Sequence, residues 1–328
     1  MARGGVKMLN FLILVVGLVL LVKCADVFVE SSSKIARALG IPALVIGLTI
    51  VAFGTSAPEA AVSLTAAIRG SNEISMGNVV GSNICNSLLI LGLCGVFATL
   101  QTKEEVRKRD FPYYLLSAVV LLIITGDYFI KHEAIGWITR ANGLVLLCFL
   151  AVYVYSLIAG VKREKKEQEK NGKDENKVKE KINWKDILLL FVGIAGIVGG
   201  GQLVVNGASG LARALGVGEN VIALTIIAIG TSLPELVTSV IATRKGETDL
   251  AIGNVIGSNI FNILFITGLT ASVKPISLDM TAFMDIIFMT ISSTLVFIML
   301  QKNRRIGRMK GMCMLAMYVL YMSYILVR

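Results

Sequence analysis

The sequence predicts an all-α membrane protein of ten transmembrane helices, arranged as two inverted five-helix repeats, with the second and seventh helices broken. Three observations carry that expectation: an apolar composition, ten runs long enough to span a bilayer, and an internal duplication that aligns without a gap.

Composition sets the solvent. The 328 residues are 55% hydrophobic and 16% charged, with mean hydropathy +0.75. So few charges cannot cover a water-facing surface, so the chain reads as an integral membrane protein. The formal charge of +10 does not point to nucleic acid, because the Lys and Arg lie in short connections between apolar runs, where they orient a membrane chain. The expected partners are membrane lipid and inorganic cations, with no nucleic acid, no organic cofactor and a monomeric chain. Cys24, Cys85, Cys94, Cys148 and Cys313 are spaced like neither a metal site nor a disulfide framework and read as packing residues, with a place in the lining of the site as the alternative for Cys85.

Spans of roughly 17 to 25 residues fall at 9–32, 41–68, 74–99, 111–126, 135–160, 185–208, 218–243, 250–273, 280–300 and 308–327. Lys7 followed by the apolar run Phe11 to Val22 has the outline of a signal peptide, but that run has a counterpart at Ile187 to Val198 and reads as a helix. The organisation is therefore residues 1–160 as repeat 1, 161–184 as a charged linker and 185–328 as repeat 2. The linker is rich in Lys, Glu and Asn and can bury almost nothing, so it reads as a solvated tether.

Alternate loops differ in charge. One set holds Lys34, Arg37, Lys103, Arg107, Lys108, Arg109, the linker, Arg244, Lys245, Lys302, Arg304, Arg305, Arg308 and Lys310; the other is poor in Lys and Arg. By the positive-inside rule the first set is cytoplasmic, and both termini lie outside the cell membrane.

The two halves align at a constant shift, 230 − 54 = 176. Gly54-Thr55-Ser56-Ala57-Pro58-Glu59 falls on Gly230-Thr231-Ser232-Leu233-Pro234-Glu235, and Gly81-Ser82-Asn83-Ile84 on Gly257-Ser258-Asn259-Ile260. Five spans per repeat is an odd number, so the second copy runs inverted, an architecture of transporters with a site near the midplane.

The motif itself carries chemistry. A carboxylate within a span is costly and marks a pathway or a site. Pro58 removes a backbone donor and breaks the helix, which frees carbonyls around Ala52, Phe53 and Gly54. Thr55 and Ser56 lie four and three residues before Glu59. Asn78, Ser82 and Asn86 recur every four residues and give a second wall, while Gly77 and Gly81 permit close helix approach. Ala228, Thr231, Ser232, Glu235, Asn254, Ser258 and Asn262 repeat the set. Only hard oxygen ligands are offered, which suit Ca2+, Na+ or Mg2+. Two carboxylates balance one divalent ion, and the same oxygens can hold several monovalent ions instead; that competition is a physical basis for exchange.

In these motifs, across both repeats, the sequence resembles the cation/Ca2+ exchanger superfamily, in its prokaryotic sodium/calcium exchanger branch. The resemblance implies four ion sites in a diamond. Glu59 and Glu235 would be the central Ca2+ ligands, with the backbone carbonyls of Thr55 and Thr231 beside them. Ala52, Ser56, Ser82, Ala228, Ser232 and Ser258 would form the outer Na+ sites, and Asn86 and Asn262 would complete the centre. The first and sixth spans would be long helices that slide. K+-dependent relatives carry an aspartate where Asn262 stands, and H+/Ca2+ exchangers carry Gly-Asn-x-x-Glu instead of Gly-Thr-Ser-x-Pro-Glu. Both departures favour an antiporter driven by Na+; an H+/Ca2+ or K+-assisted exchanger and a cation channel are the alternatives. An enzyme is not expected, because the one histidine, His132, is remote from Ser56 and Ser232 and reads as solvated in an outward loop. Lys23 and Asp26 read as a mutual ion pair near the end of the first span.

Overall fold

In the computed structural model, residues 2–130, 135–170, 183–217, 228–301 and 304–327 are described. The chain forms helices α1 (Ala2–Leu39), α2 (Ala43–Thr55), α3 (Ala57–Arg69), α4 (Asn72–Phe97), α5 (Phe111–Ile130), α6 (Arg140–Lys170), α7 (Trp184–Ala214), α8 (Ala228–Gly230), α9 (Leu233–Arg244), α10 (Thr248–Val273), α11 (Met280–Gln301) and α12 (Arg308–Val327). Among the described residues eight helices are long and apolar enough to cross a membrane, and α2 with α3 makes a ninth candidate bent by 46°. His132, half of the charged linker (171–182) and the first part of the seventh span (218–227) lie outside the described residues.

Four short strands depart from the all-helical expectation. β1 (Leu100–Gln101) pairs antiparallel with β4 (Arg305–Ile306), and β2 (Gly136–Ile138) with β3 (Ile276–Leu278). These ribbons satisfy loop backbone groups where helices stop. A second difference concerns the linker: α6 continues into it as far as Lys170. Its Lys, Glu and Gln are strong helix formers, so the helix has no local reason to stop at the end of the span.

Helices α4 and α10 form the centre. On α10 every residue from Leu250 to Ile260 is buried, whereas α1 exposes Met8, Leu9, Phe11, Leu12, Val16 and Val19. In a bilayer such apolar faces meet lipid, so they carry no penalty. Helices α1 and α7 pack along each other through glycines. A Cβ on Gly17 would stand 2.7 Å from the Val204 nitrogen, and one on Gly200 2.7 Å from the Leu21 nitrogen. Small residues at the seam let the backbones approach, the source of helix association where no hydrophobic drive exists.

Loop contacts sort into two groups. Arg37 pairs with Glu247 at 3.3 Å, Lys103 with Asp249 at 2.7 Å, and β1 with β4. At the other end β2 pairs with β3, Asn72 donates to Ser277 at 2.8 Å and Lys274 to the Ile68 carbonyl at 3.1 Å. Each contact joins loops that the alternation of spans puts on the same face. Lys23 and Asp26 do not pair with each other as expected. Asp26 takes Lys245, 2.8 Å away in the turn after α9, a partner no local reading could supply.

Candidate ion-binding site

The centre is built where α2 gives way to α3 and where α8 gives way to α9. Ser56 has φ −83°, ψ 7° and Ser232 has φ −87°, ψ 5°. Both sit in the sparsely populated bridge region that active-site residues favour. Each is followed by a proline in the first turn of the next helix, where a missing N–H costs nothing. The chain therefore turns at the serine, and Glu59 and Glu235 fall in first turns, at the positive ends of α3 and α9.

Ser-x-x-Glu at a helix start has the composition of a capping box, in which serine and glutamate serve their own helix. Neither serine side chain caps its own helix. The Ser56 hydroxyl donates to Glu235 Oε1 at 2.8 Å, and the Ser232 hydroxyl to Glu59 Oε1 at 3.3 Å. The partners are exchanged between the two motifs, which holds both carboxylates at one place.

Two asparagines brace this exchange. Asn78 donates to the Glu59 carbonyl at 3.1 Å and to Ser63 at 2.9 Å, while its Oδ1 lies 3.1 Å from the Thr231 hydroxyl. Asn254 donates to the Glu235 carbonyl at 3.4 Å and to Ser239 at 2.9 Å, with its Oδ1 3.1 Å from the Thr55 hydroxyl. Both threonine hydroxyls are thus engaged as donors to the asparagine of the other repeat. Ser63 and Ser239 were not singled out from sequence, although the shift of 176 that joins them was the signal.

Glu59, Glu235, Ser82, Ser258, Asn86 and Asn262 are all buried. Ser82 stands beside Glu59 and 3.1 Å from Ser232, and Ser258 stands beside Glu235. Asn86 and Asn262 lie in equivalent π-helical turns, Cys85–Ile90 and Phe261–Ile266, a winding common at functional sites. Glu59 Oε2, Glu235 Oε2, Asn86 Oδ1, Ser258 Oγ and Asn262 Oδ1 are buried without a hydrogen-bond partner. Each such atom costs about 1–3 kcal/mol unless a ligand meets it. Among the described residues no Lys or Arg pairs with either glutamate, and no cluster of three His, Cys, Asp or Glu occurs. The centre is two uncompensated carboxylates ringed by neutral oxygens, a donor set for hard cations.

Two expectations change. The Ala52 carbonyl is not freed by Pro58: it accepts the Ser56 N–H at 3.0 Å, because the helix breaks at Ser56 and the proline starts the next one. Ala228 opens α8, which places its backbone next to the second motif. Gly77 and Gly81 receive no helix, since a Cβ on either would meet nothing within 4 Å among the described residues. They line instead a cavity of about 520 Å³ that joins Asn78 and Thr231 to Glu73 and Asp279 at the loop end. From Glu73 to Cys85, both on its wall, α4 rises roughly 18 Å. Their counterparts Gly253 and Gly257 are tightly covered by α2.

Comparison with known proteins agrees with this geometry. The family profile described as Sodium/calcium exchanger protein matches residues 9–159 and 185–327. The chain is 36% identical over 340 residues to the sodium/calcium exchanger MaX1 of Methanosarcina acetivorans, covering 95% of this chain and 97% of that one. It is 35% identical over 317 residues to the inner membrane protein YrbG of Escherichia coli, covering 95% of each. Among solved structures, the sodium-calcium exchanger NCX_Mj soaked with zero Na+ and Ca2+ superposes with TM-score 0.82 at 30% identity, over 97% of this chain and 99% of that one. With both repeats matched and the paired carboxylates at the centre, the chain belongs to the sodium/calcium exchanger family.

Proposed function

We propose that the chain is a secondary antiporter that exchanges Na+ for Ca2+ by alternating access to the Glu59–Glu235 centre. The observation that carries this reading is the pair of buried carboxylates with no cationic partner among the described residues. Two negative charges in a low-dielectric setting need two positive ones, supplied by one Ca2+ or by Na+ ions in turn. Thr55 and Thr231 would offer backbone oxygens beside the glutamates, and Asn86 and Asn262 would close the centre. Ala52, Ser56, Ser82, Ala228, Ser232 and Ser258 would hold Na+ on either side. The architecture proposed is ten spans in two inverted repeats. Both termini would lie outside, and the charged linker would be cytoplasmic. The face bearing Glu73 and Asp279 would then be external, with the cavity as its entrance.

The discriminating experiment is 45Ca2+ uptake into sealed proteoliposomes. Uptake should require an outward Na+ gradient. Uptake that follows a pH gradient and ignores Na+ would overturn Na+ coupling, and uptake indifferent to both would indicate a channel.

A further inference from the structure

One corner of the molecule is strongly basic and is not duplicated. It is made by the turn before α5, the β1–β4 ribbon and the start of α12. Thr102 donates its N–H and its hydroxyl to the Arg304 carbonyl, at 3.0 and 2.9 Å, and Gln301 donates to the Arg107 carbonyl at 3.2 Å. These bonds fix the three segments against each other. The positions 176 residues away from Arg107, Arg304, Arg305 and Arg308 are Phe283, Tyr128, Phe129 and His132. The transport centre is carried by both repeats, so this corner does something else.

The charges here are unevenly matched. Lys103 pairs with Asp249, Lys108 with Glu104 and Arg109 with Asp110. Arg107, Arg304, Arg305 and Arg308 have no carboxylate at ion-pair distance among the described residues. Glu104 feels Arg107 and Arg304, but its first partner is the Lys108 ammonium, which holds the carboxyl below its usual range. Arg107 is only 9% exposed, and its Nε is buried with no hydrogen-bond partner. A buried guanidinium among like charges is unfavourable unless an anion completes it. Arginine suits a phosphate in particular, through its planar fork of donors.

We propose that this corner binds the phosphate of an anionic phospholipid headgroup. Lipid is favoured over a free anion by the adjoining surface. Met309 and Met312, on the first turns of α12, are 73% and 50% exposed, so apolar side chains for an acyl chain flank the arginines. Basic residues at the end of a span are drawn to anionic lipid, with an effect of about five-fold in binding for each.

The test uses the purified full-length chain in micelles containing equal amounts of phosphatidylglycerol and phosphatidylcholine, with retained lipid read by native mass spectrometry. The wild type should keep phosphatidylglycerol at least about five-fold over phosphatidylcholine. Arg107→Gln should lower that preference about five-fold; should it fail to fold, Arg305→Gln, at an exposed position, carries the same test. Arg69→Gln, at the end of α3 on the opposite face, should keep it. Equal retention of the two lipids, or an unchanged preference in the Arg107 and Arg305 variants, would overturn the proposal. So would release of the lipid by millimolar inorganic phosphate, which would make this a free-anion site.

Discussion

Gly253 and Gly77 occupy the same place in the two repeats, yet alanine should act differently at each. A Cβ on Gly253 would stand 2.6 Å from the Leu44 carbonyl oxygen and 3.0 Å from the Gly47 Cα. Both are backbone atoms and cannot swing aside. Reaching ordinary contact requires α2 and α10 to part by roughly 0.8 Å, an overpacking that costs about 1–3 kcal/mol. The better helix propensity of alanine offsets about 1 kcal/mol of this. Gly253→Ala should therefore lower the unfolding midpoint by about 2–4 °C. Because α2 carries Thr55 and leads into Ser56, the same displacement moves the motif away from Ser258 and Asn262, and 45Ca2+ uptake should fall several-fold. Gly77→Ala meets nothing within 4 Å, so its midpoint should hold or rise. Loss of uptake in a stable Gly77→Ala protein is the expected mark of a cycle that covers the open face of α4 at its other end. Differential scanning fluorimetry and uptake, run on both variants, decide the matter. A Gly253→Ala protein as stable and active as wild type, or a Gly77→Ala protein equally destabilised, would refute the reasoning.

Four further outcomes are expected. Glu59→Gln and Glu235→Gln should each abolish Ca2+ exchange while leaving size-exclusion profiles and ion-free stability intact, since each removes an uncompensated buried charge; transport by either contradicts the assignment. Ser56→Ala should destabilise by about 1–3 kcal/mol through loss of its bond to a charged carboxylate, and Ser232→Ala by less, because its bond is 3.3 Å against 2.8 Å; reversed thermal shifts would count against the exchanged caps. Lys245→Ala should release α1 from the turn after α9, with an effect under about 1 kcal/mol because the pair is half exposed. The change in transport rate should shrink as ionic strength rises, and a salt-independent effect would exclude the ion pair as its cause. Asn262→Asp should change the K+ and H+ sensitivity of exchange more than the melting temperature, and unchanged sensitivity would remove the role given to the amide.

The latch involving Lys245 shows how the halves diverge. On one face Asp26 meets Lys245 and Lys103 meets Asp249. The positions equivalent to Asp26 and Lys245 are Gln202 and Arg69, and those equivalent to Lys103 and Asp249 are Asp279 and Glu73. The second pair is of opposite sign on one face and of like sign on the other, where both residues line the cavity.

Sequence by itself determined the solvent, the positions of most spans, the duplication and the two glutamate motifs that meet at the centre, because hydropathy, proline and a buried carboxylate act locally. Only the tertiary structure decided that Ser56 serves Glu235 and Ser232 serves Glu59, that Asp26 belongs to Lys245, and that one Gly-x-x-x-Gly face is sealed while its twin borders a cavity. The physical reason is that local rules return the same answer for two copies of one motif. A difference between them arises only from what packs against each.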